Sequence, residues 1–427
     1  MGKKLLVVGS GGREHALVWK LAQSPGVEKI YAAPGNPGIS KLAECVEMAV
    51  DDIDALCQFA LEKEIDLTVV GPEAPLTLGI ADRFSAEGLL IFGPSAAAAR
   101  LEGSKVFSKN LFKKYKIPTA RFEVFDDAEQ ARDYARILFD QGQKAVVKAD
   151  GLAAGKGVVV AECFAEASAA IDSIMNDKTF GAAGDKILVE ECLQGEELSF
   201  FAISDGKDYL ALLSAQDHKR IYDHDEGPNT GGMGAYTNPP LYTGELKHQI
   251  ITEVIEPTIR AMQAEGCPYQ GVLYAGLMIT ADGPKVLEYN ARFGDPEAQV
   301  LMPMIKSDLL PVLEAAAQGQ LPGRTVEFEA GACVGVVLAA GGYPGAYQKG
   351  DAITGLDQLQ EDILVFQAGT ALKNDQLVTA GGRVMAVVAC ADSIPAAIAK
   401  VYSEVKKIHF KDMHYRHDIA RKALRQA

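Results

Sequence analysis

The first hundred residues repeat one pattern. Short apolar runs at Lys4–Val8, Lys29–Ala33, Leu67–Val70 and Leu89–Phe92 are each followed by Gly or Pro, and helical patterns such as the one over about Glu14–Gln23 separate them. Strands alternating with helices give a parallel sheet covered by helices, because each crossover returns the chain to the same edge direction. This part of the chain is therefore expected to be an α/β domain.

The character changes near Leu101. Glu102-Gly103-Ser104-Lys105 opens a Lys-rich helix that Pro118 ends. A helix over about 127–140, strand Ala145–Lys148, a Gly-rich turn, strand Val158–Ala161, a helix over about 164–176 and strand Lys186–Glu190 follow. Two strands joined by a Gly turn imply an antiparallel pair, hence a small α+β lobe. Strands Ser199–Ile203, Leu273–Ile279 and Pro284–Asn290 surround a long polar segment, Gln216–Asn238. That segment is too rich in Gly and polar groups to pack as core, and long loops are usually functional. A third shift falls near 320–330. Beyond it Cys333–Ala339, Ile363–Gln367 and Arg383–Ala389 read as strands, and a helix capped by Ser393 runs to about Lys407. At about 150 residues per domain, the 427 residues make about three domains. These are placed at 1–103, 104–325 with a lobe at about 121–195, and 326–427.

Composition narrows the function. The net charge of −15 argues against general nucleic-acid binding, since an acidic chain repels phosphate backbones. No run is long and apolar enough to span a bilayer or to form a signal-peptide core. Seven scattered cysteines without C-x-x-C spacing read as free thiols, so the cytoplasm is the expected location. The 42 glycines are the unusual feature. They imply many tight turns or many places where backbone meets ligand.

Gly9-Ser10-Gly11-Gly12-Arg13-Glu14 lies between a strand and a helix, where backbone N–H groups favour an anion. Glu14 replaces the third Gly of the dinucleotide pattern, and no acid ends the second strand, so a nicotinamide cofactor is disfavoured. An anion site and a purely structural turn both stay open. Gly151–Gly157 is a hairpin tip rather than a P-loop, because a strand follows it; with Lys148 at its base it could close over phosphates. Glu190, Glu191 and Glu197 could hold an adenosine, although taken alone they read first as acids of a solvated loop. Glu288 and Asn290 share one face of a strand, a pair of hard oxygen ligands that suits Mg²⁺, and Arg292 follows. A solvent-facing strand with a paired Arg is the alternative.

Together these motifs resemble the ATP-grasp superfamily and, within it, the phosphoribosylamine–glycine ligase (glycinamide ribonucleotide synthetase) family. The resemblance spans essentially the whole chain. It rests on G-S-G-G-R-E-H-A at 9–16, A-P-G-N at 33–36, G-P-E-A-P-L at 71–76, L-E-G-S-K at 101–105 and K-A-D-G-L-A-A-G-K-G at 148–157. Q-D-H-K-R at 216–220, G-P-N-T-G-G-M-G-A-Y at 227–236 and R-F-G-D-P-E at 292–297 complete it.

The resemblance implies an ATP-grasp architecture with an N-terminal parallel-sheet domain and a small C-terminal α+β domain. It implies ATP-dependent ligation of glycine to 5-phosphoribosylamine through glycyl phosphate, the second step of de novo purine synthesis. Lys105, Lys148 and the 151–157 lid with Gly155 would meet the ATP phosphates. Glu190 with backbone of Glu191–Leu193 would hold adenine, and Glu197 the ribose. Glu288 and Asn290 would bind Mg²⁺ or Mn²⁺. Arg292 would steady the transferring phosphoryl group, and Asp217 and Lys219 would contact glycine. Gly11, Arg13, Pro72 and Glu73 would face phosphoribosylamine, with Arg383 in the Gly381-Gly382-Arg383 turn as a 5′-phosphate anchor on loop chemistry alone. The partners are then small molecules, with no nucleic acid and no membrane; a monomer is allowed, as is hand-over of product to neighbouring pathway enzymes. Many superfamily members carry a further acid on the strand before Glu-x-Asn. Here that strand, Leu273–Met278, has none, so a second protein-bound metal is in doubt. A related carboxylase or dipeptide ligase, a non-catalytic nucleotide-binding module and an oxidoreductase are the competing readings.

Overall fold

The computed structural model describes residues 2–152 and 157–425. The N-terminal strands Lys3–Gly9, Val27–Pro34, Glu44–Cys45, Leu67–Val70 and Ile91–Phe92 form one parallel sheet, with Lys3–Gly9 at its centre. Leu5 to Val8 are buried on both faces, as a helix-covered parallel sheet requires. The strand ends carry the turns Gly9–Gly11 and Gly71–Glu73, the open edge where α/β sheets place ligands.

The central sheet is antiparallel and contains nine strands among the described residues. Strands Gly283–Asn290, Gln270–Thr280 and Glu196–Asp205 lie at one side. Ala215–Asp217 and Gly234–Thr237 continue it. The C-terminal strands Ala332–Ala339, Arg383–Ala391 and Leu364–Gln367 then add to the same sheet, so that Ala235 pairs with Gly335. They do not form a sheet of their own. The helix Ile394–Val405, capped by Ser393, packs on this extension.

A separate four-stranded antiparallel sheet forms the lobe, in the order Phe122–Phe125, Ile187–Glu191, Ala145–Ala149, Val158–Ala161. Its helices Ala128–Asp140 and Phe164–Ile171 cover one face through Ala131, Ala135, Ala167 and Ile171. No helix among the described residues is long and apolar enough to cross a membrane.

The Gln216–Asn238 segment corrects the expectation of an uncored loop. It folds into strands Ala215–Asp217, Arg220–Tyr222, Glu226–Asn229 and Gly234–Thr237. Ile221, Met233 and Tyr236 in it are buried. Its apolar residues are few and spread among glycines and polar groups, and the strand that receives Gly234–Tyr236 lies far along the chain, so local composition concealed them.

Candidate active site

The helix Lys105–Tyr115 starts where the lobe meets the central sheet. Ser104 caps it by accepting from the Phe107 N–H, and the Asp150 carboxylate accepts from both Ser104 Oγ (3.0 Å) and the Val106 N–H (3.1 Å). Lys105 at its first turn donates to the Gly151 carbonyl at 3.0 Å, at the base of the lobe hairpin. Burial pulls the Lys105 pKa down, and Glu288 and Asp150 oppose that shift. The predicted Gly155 lies outside the described residues.

Lys148 comes from the lobe strand Ala145–Ala149. Its ammonium lies 3.1 Å from Glu190 Oε2 and donates to the Leu287 carbonyl at 3.2 Å. Lys109 meets the same Glu190 oxygen at 3.0 Å. Burial lowers the Lys109 pKa to about 8 against the pull of Glu190. The sequence reading missed Lys109, although it stands four residues after Lys105 on the same helix face. The Glu191 carboxylate accepts from the Arg121 N–H and Nε, both at 2.9 Å, which leaves its backbone as the part expected to face adenine. Leu193 follows in the connecting loop, half-buried.

Glu288 and Asn290 are half-buried on one face of their strand, opposite Gly276 and Tyr274. A Cβ on Gly276 would sit 3.4 Å from Glu288 Cγ, so glycine there keeps the space beside the carboxylate clear. Two oxygen donors on one strand face, with Lys105 close enough to interact with Glu288, fit one Mg²⁺ shared with phosphates. Beyond Asn290 the chain turns, and Arg292 points back to the N-terminal domain. Its Nη2 donates to Glu102 at 2.9 Å, its Nε to Glu73 at 3.2 Å, and its Nη1 to the Phe293 carbonyl. Burial pushes the Glu73 carboxyl up, but Arg292 and Arg13 outweigh it and hold its pKa below the ordinary value. Pro72, just before it, is the N-cap of the short helix Glu73–Thr77.

Asp217 and Lys219 form a pair at 3.1 Å, with Glu197 3.5 Å from the same ammonium. Burial penalises the Lys219 charge, yet Asp217, Glu197 and Glu288 together raise its pKa well above normal. Glu297, also missed, is buried below them and accepts from Tyr274 OH at 2.5 Å and Ser199 Oγ at 3.1 Å. Burial, then Asp217, raises its pKa.

Two expectations change at the N-terminal edge. The Gly9–Gly12 turn does not wait for an external anion at its first N–H groups, because the Glu14 carboxylate accepts from the Gly11 N–H at 2.6 Å and pairs with Arg13. A Cβ on Gly71 would fall 2.0 Å from Glu14 Oε1, so the glycines here make room for that carboxylate. Arg383 is not a free phosphate fork either. Its Nη2 lies 3.0 Å from Asp295 Oδ2, and its Nη1 donates to the Asp295 and Gly231 carbonyls, clamping the 227–234 loop to the 292–297 turn. Burial raises the Asp295 pKa, but Arg383 and Arg13 overcome it and lower it overall.

An antiparallel central sheet, a small antiparallel lobe hinged on it, lysines from both and a Glu-x-Asn strand between them define an ATP-grasp protein. Models of the phosphoribosylglycinamide synthetase N domain, ATP-grasp (A) domain and C domain match residues 3–102, 103–298 and 333–422. The chain belongs to the phosphoribosylglycinamide synthetase family. A phosphoribosylamine–glycine ligase of Agrobacterium fabrum is 53% identical over 421 residues, covering 99% of each chain. The solved phosphoribosylamine–glycine ligase of Thermotoga maritima is 34% identical with a TM-score of 0.85, covering 98% of this chain and 100% of that one. The biotin carboxylase domain of a Hydrogenobacter thermophilus 2-oxoglutarate carboxylase, solved with MgADP, shares the fold at 16% identity and a TM-score of 0.73; the match covers 97% of this chain and 92% of that one.

Proposed function

We propose that the chain joins glycine to 5-phosphoribosylamine at the expense of ATP, as the relatives' name states, giving glycinamide ribonucleotide, ADP and phosphate for purine synthesis. A carboxylate is a poor electrophile. A glycine carboxylate oxygen therefore attacks the γ-phosphorus, the bond to the β-phosphate oxygen breaks, and glycyl phosphate and ADP form. The phosphoribosylamine nitrogen then attacks the acyl carbon, the C–O bond breaks, phosphate leaves and the ammonium loses its proton.

Lys105 and Lys148 neutralise the triphosphate, Glu190 and the loop through Leu193 seat adenine, and Glu197 faces the ribose. Glu288 and Asn290 hold Mg²⁺ or Mn²⁺, which supplies charge neutralisation on the phosphates when bound. Arg292 steadies the transferring phosphoryl group, and its bridge to Glu73 joins this end to the N-terminal edge, where Gly11, Arg13, Pro72 and Glu73 meet phosphoribosylamine. Asp217 and Lys219 exchange their mutual pairing for glycine's ammonium and carboxylate. Residues 1–103, 104–325 and 326–427 act as the substrate, ATP-grasp and C-terminal domains. The lobe at 121–195 shields the acyl phosphate from water. The chain works in the cytoplasm, where its seven free thiols stay reduced.

The observation that carries this reading is the Arg292 bridge, because it ties the Glu-x-Asn strand directly to the N-terminal domain. Coupled ADP release tests it. Turnover should need ATP, glycine and phosphoribosylamine together; release that ignores omission of glycine, or that accepts bicarbonate or D-alanine equally, refutes it.

A further inference from the structure

Lys109 has no role in the reading above, yet it is only 2% exposed, against 6% for Lys148. Burying an ammonium is costly unless its hydrogens are well placed. Those of Lys109 are directed at Glu190 Oε2 (3.0 Å) and Thr119 Oγ1 (2.7 Å), with the Phe122 ring 5.3 Å away. Thr119 in turn donates to the Val286 carbonyl at 2.6 Å, and the Val286 N–H returns to Pro118 at 2.8 Å. The ammonium is thus pinned between the lobe, through Glu190 and Phe122, and the strand that ends in Glu288 and Asn290.

Glu190 is held from one side only. Its Oε2 takes both Lys109 and Lys148, while its buried Oε1 has no hydrogen-bond partner among the described residues. A carboxylate fixed in this way is an acceptor with one oxygen to offer. The exocyclic amine of adenine is a donor; a purine with a carbonyl at that position would set oxygen against oxygen. We infer that Lys109 is a positioning residue for the adenine base: it holds Glu190 by Oε2 and turned so that Oε1 meets the 6-amino group. It also prevents Glu190 from claiming Lys148 as its sole counter-ion, leaving that lysine to serve the phosphates. This rests on the reading of the site as an ATP site, and it adds a residue and a specificity that the reading does not contain.

Initial rates with ATP and with GTP, at saturating glycine and phosphoribosylamine, test it on the wild type, Lys109→Met, Lys109→Arg and Thr119→Val, alongside thermal midpoints. Wild-type turnover that depends on glycine keeps the functional reading; its failure there would be the failure of that reading and would take the inference with it. With the wild type active, Lys109→Met should raise KM for ATP by roughly 10- to 100-fold, the size of a lost charge-assisted hydrogen bond. Its kcat should stay within a few-fold, and its preference for ATP over GTP should fall about tenfold. Lys109→Arg should recover most of both, and Thr119→Val should shift both in the same direction by less. A Lys109→Met protein that loses only thermal stability, with unchanged KM and ATP preference, overturns the inference. If that variant does not fold, Thr119→Val decides: unchanged KM and preference there overturn it.

Discussion

The two ends of the site handle charge differently. On the nucleotide side Lys109 and Lys148 bind one Glu190 oxygen, and Lys105 lies near Glu288 and Asp150. These lysines gather at the end where an incoming triphosphate would be met. On the N-terminal side the arginines are matched: Arg13 with Glu14, Arg292 with Glu73 and Glu102, and Arg383 with Asp295. Planar guanidinium forks fix geometry, whereas lysines act as point charges. One side is arranged to receive charge, and the other to hold domains and loops in place. A chain of net charge −15 can therefore bind phosphorylated substrates, because its site lysines are gathered at one end.

The contrast can be broken at several points. The largest effect should come from Glu288→Ala, which removes a metal ligand: turnover should drop about 1,000-fold or more while circular dichroism and the thermal midpoint hold. Near wild-type rates at saturating Mg²⁺ would remove Glu288 from the metal. Arg292→Lys should lower kcat about 100-fold, since an ammonium cannot span Glu73, Glu102 and the Phe293 carbonyl at once. A kcat within a few-fold of wild type would show that the bridge is dispensable.

Smaller effects should mark the matched side as structural. Arg383→Ala leaves the Asp295 and Gly231 carbonyls without their donor, and should cost about 1–3 kcal/mol in denaturant unfolding. If it instead leaves stability unchanged and raises only KM for phosphoribosylamine, Arg383 is a phosphate anchor after all. A further effect on stability concerns pH. His15 is buried between the first helix and Gln367, whose N–H donates to its Nδ1, and burial lowers its pKa to about 4. The unfolded chain takes up this proton below about pH 6.5 while the folded chain does not. Stability is therefore lost as pH falls from 6.5 to 4, by roughly 3 kcal/mol at this residue. His15→Gln should show a shallower acid limb in unfolding titrations, and an identical limb would contradict the assignment.

The parts of the fold set by local pattern were readable in the sequence. Strands Leu67–Val70 and Val158–Ala161 form at their expected bounds, and the antiparallel pairing across the Gly-rich hairpin is present. The residues that misled are those whose partners are distant. Arg383 reads as a free fork beside two glycines until Asp295, far away in sequence, occupies it. Gly9 and Gly11 read either as an anion site or as a structural turn, and the group they admit is the Glu14 carboxylate. Lys109 carries no motif, and Glu297 only closes the 292–297 motif; burial beside Glu190, Tyr274 and Ser199 is what distinguishes them from ordinary helix charges.

The account's central claim is that ATP activates glycine, so that one glycine oxygen leaves with the phosphate. Glycine labelled with ¹⁸O in both carboxylate oxygens, turned over with ATP and phosphoribosylamine, tests this by mass spectrometry of the inorganic phosphate. The account predicts one ¹⁸O in each phosphate released and one in each product amide. Unlabelled phosphate, formed at the rate of ADP, would contradict it.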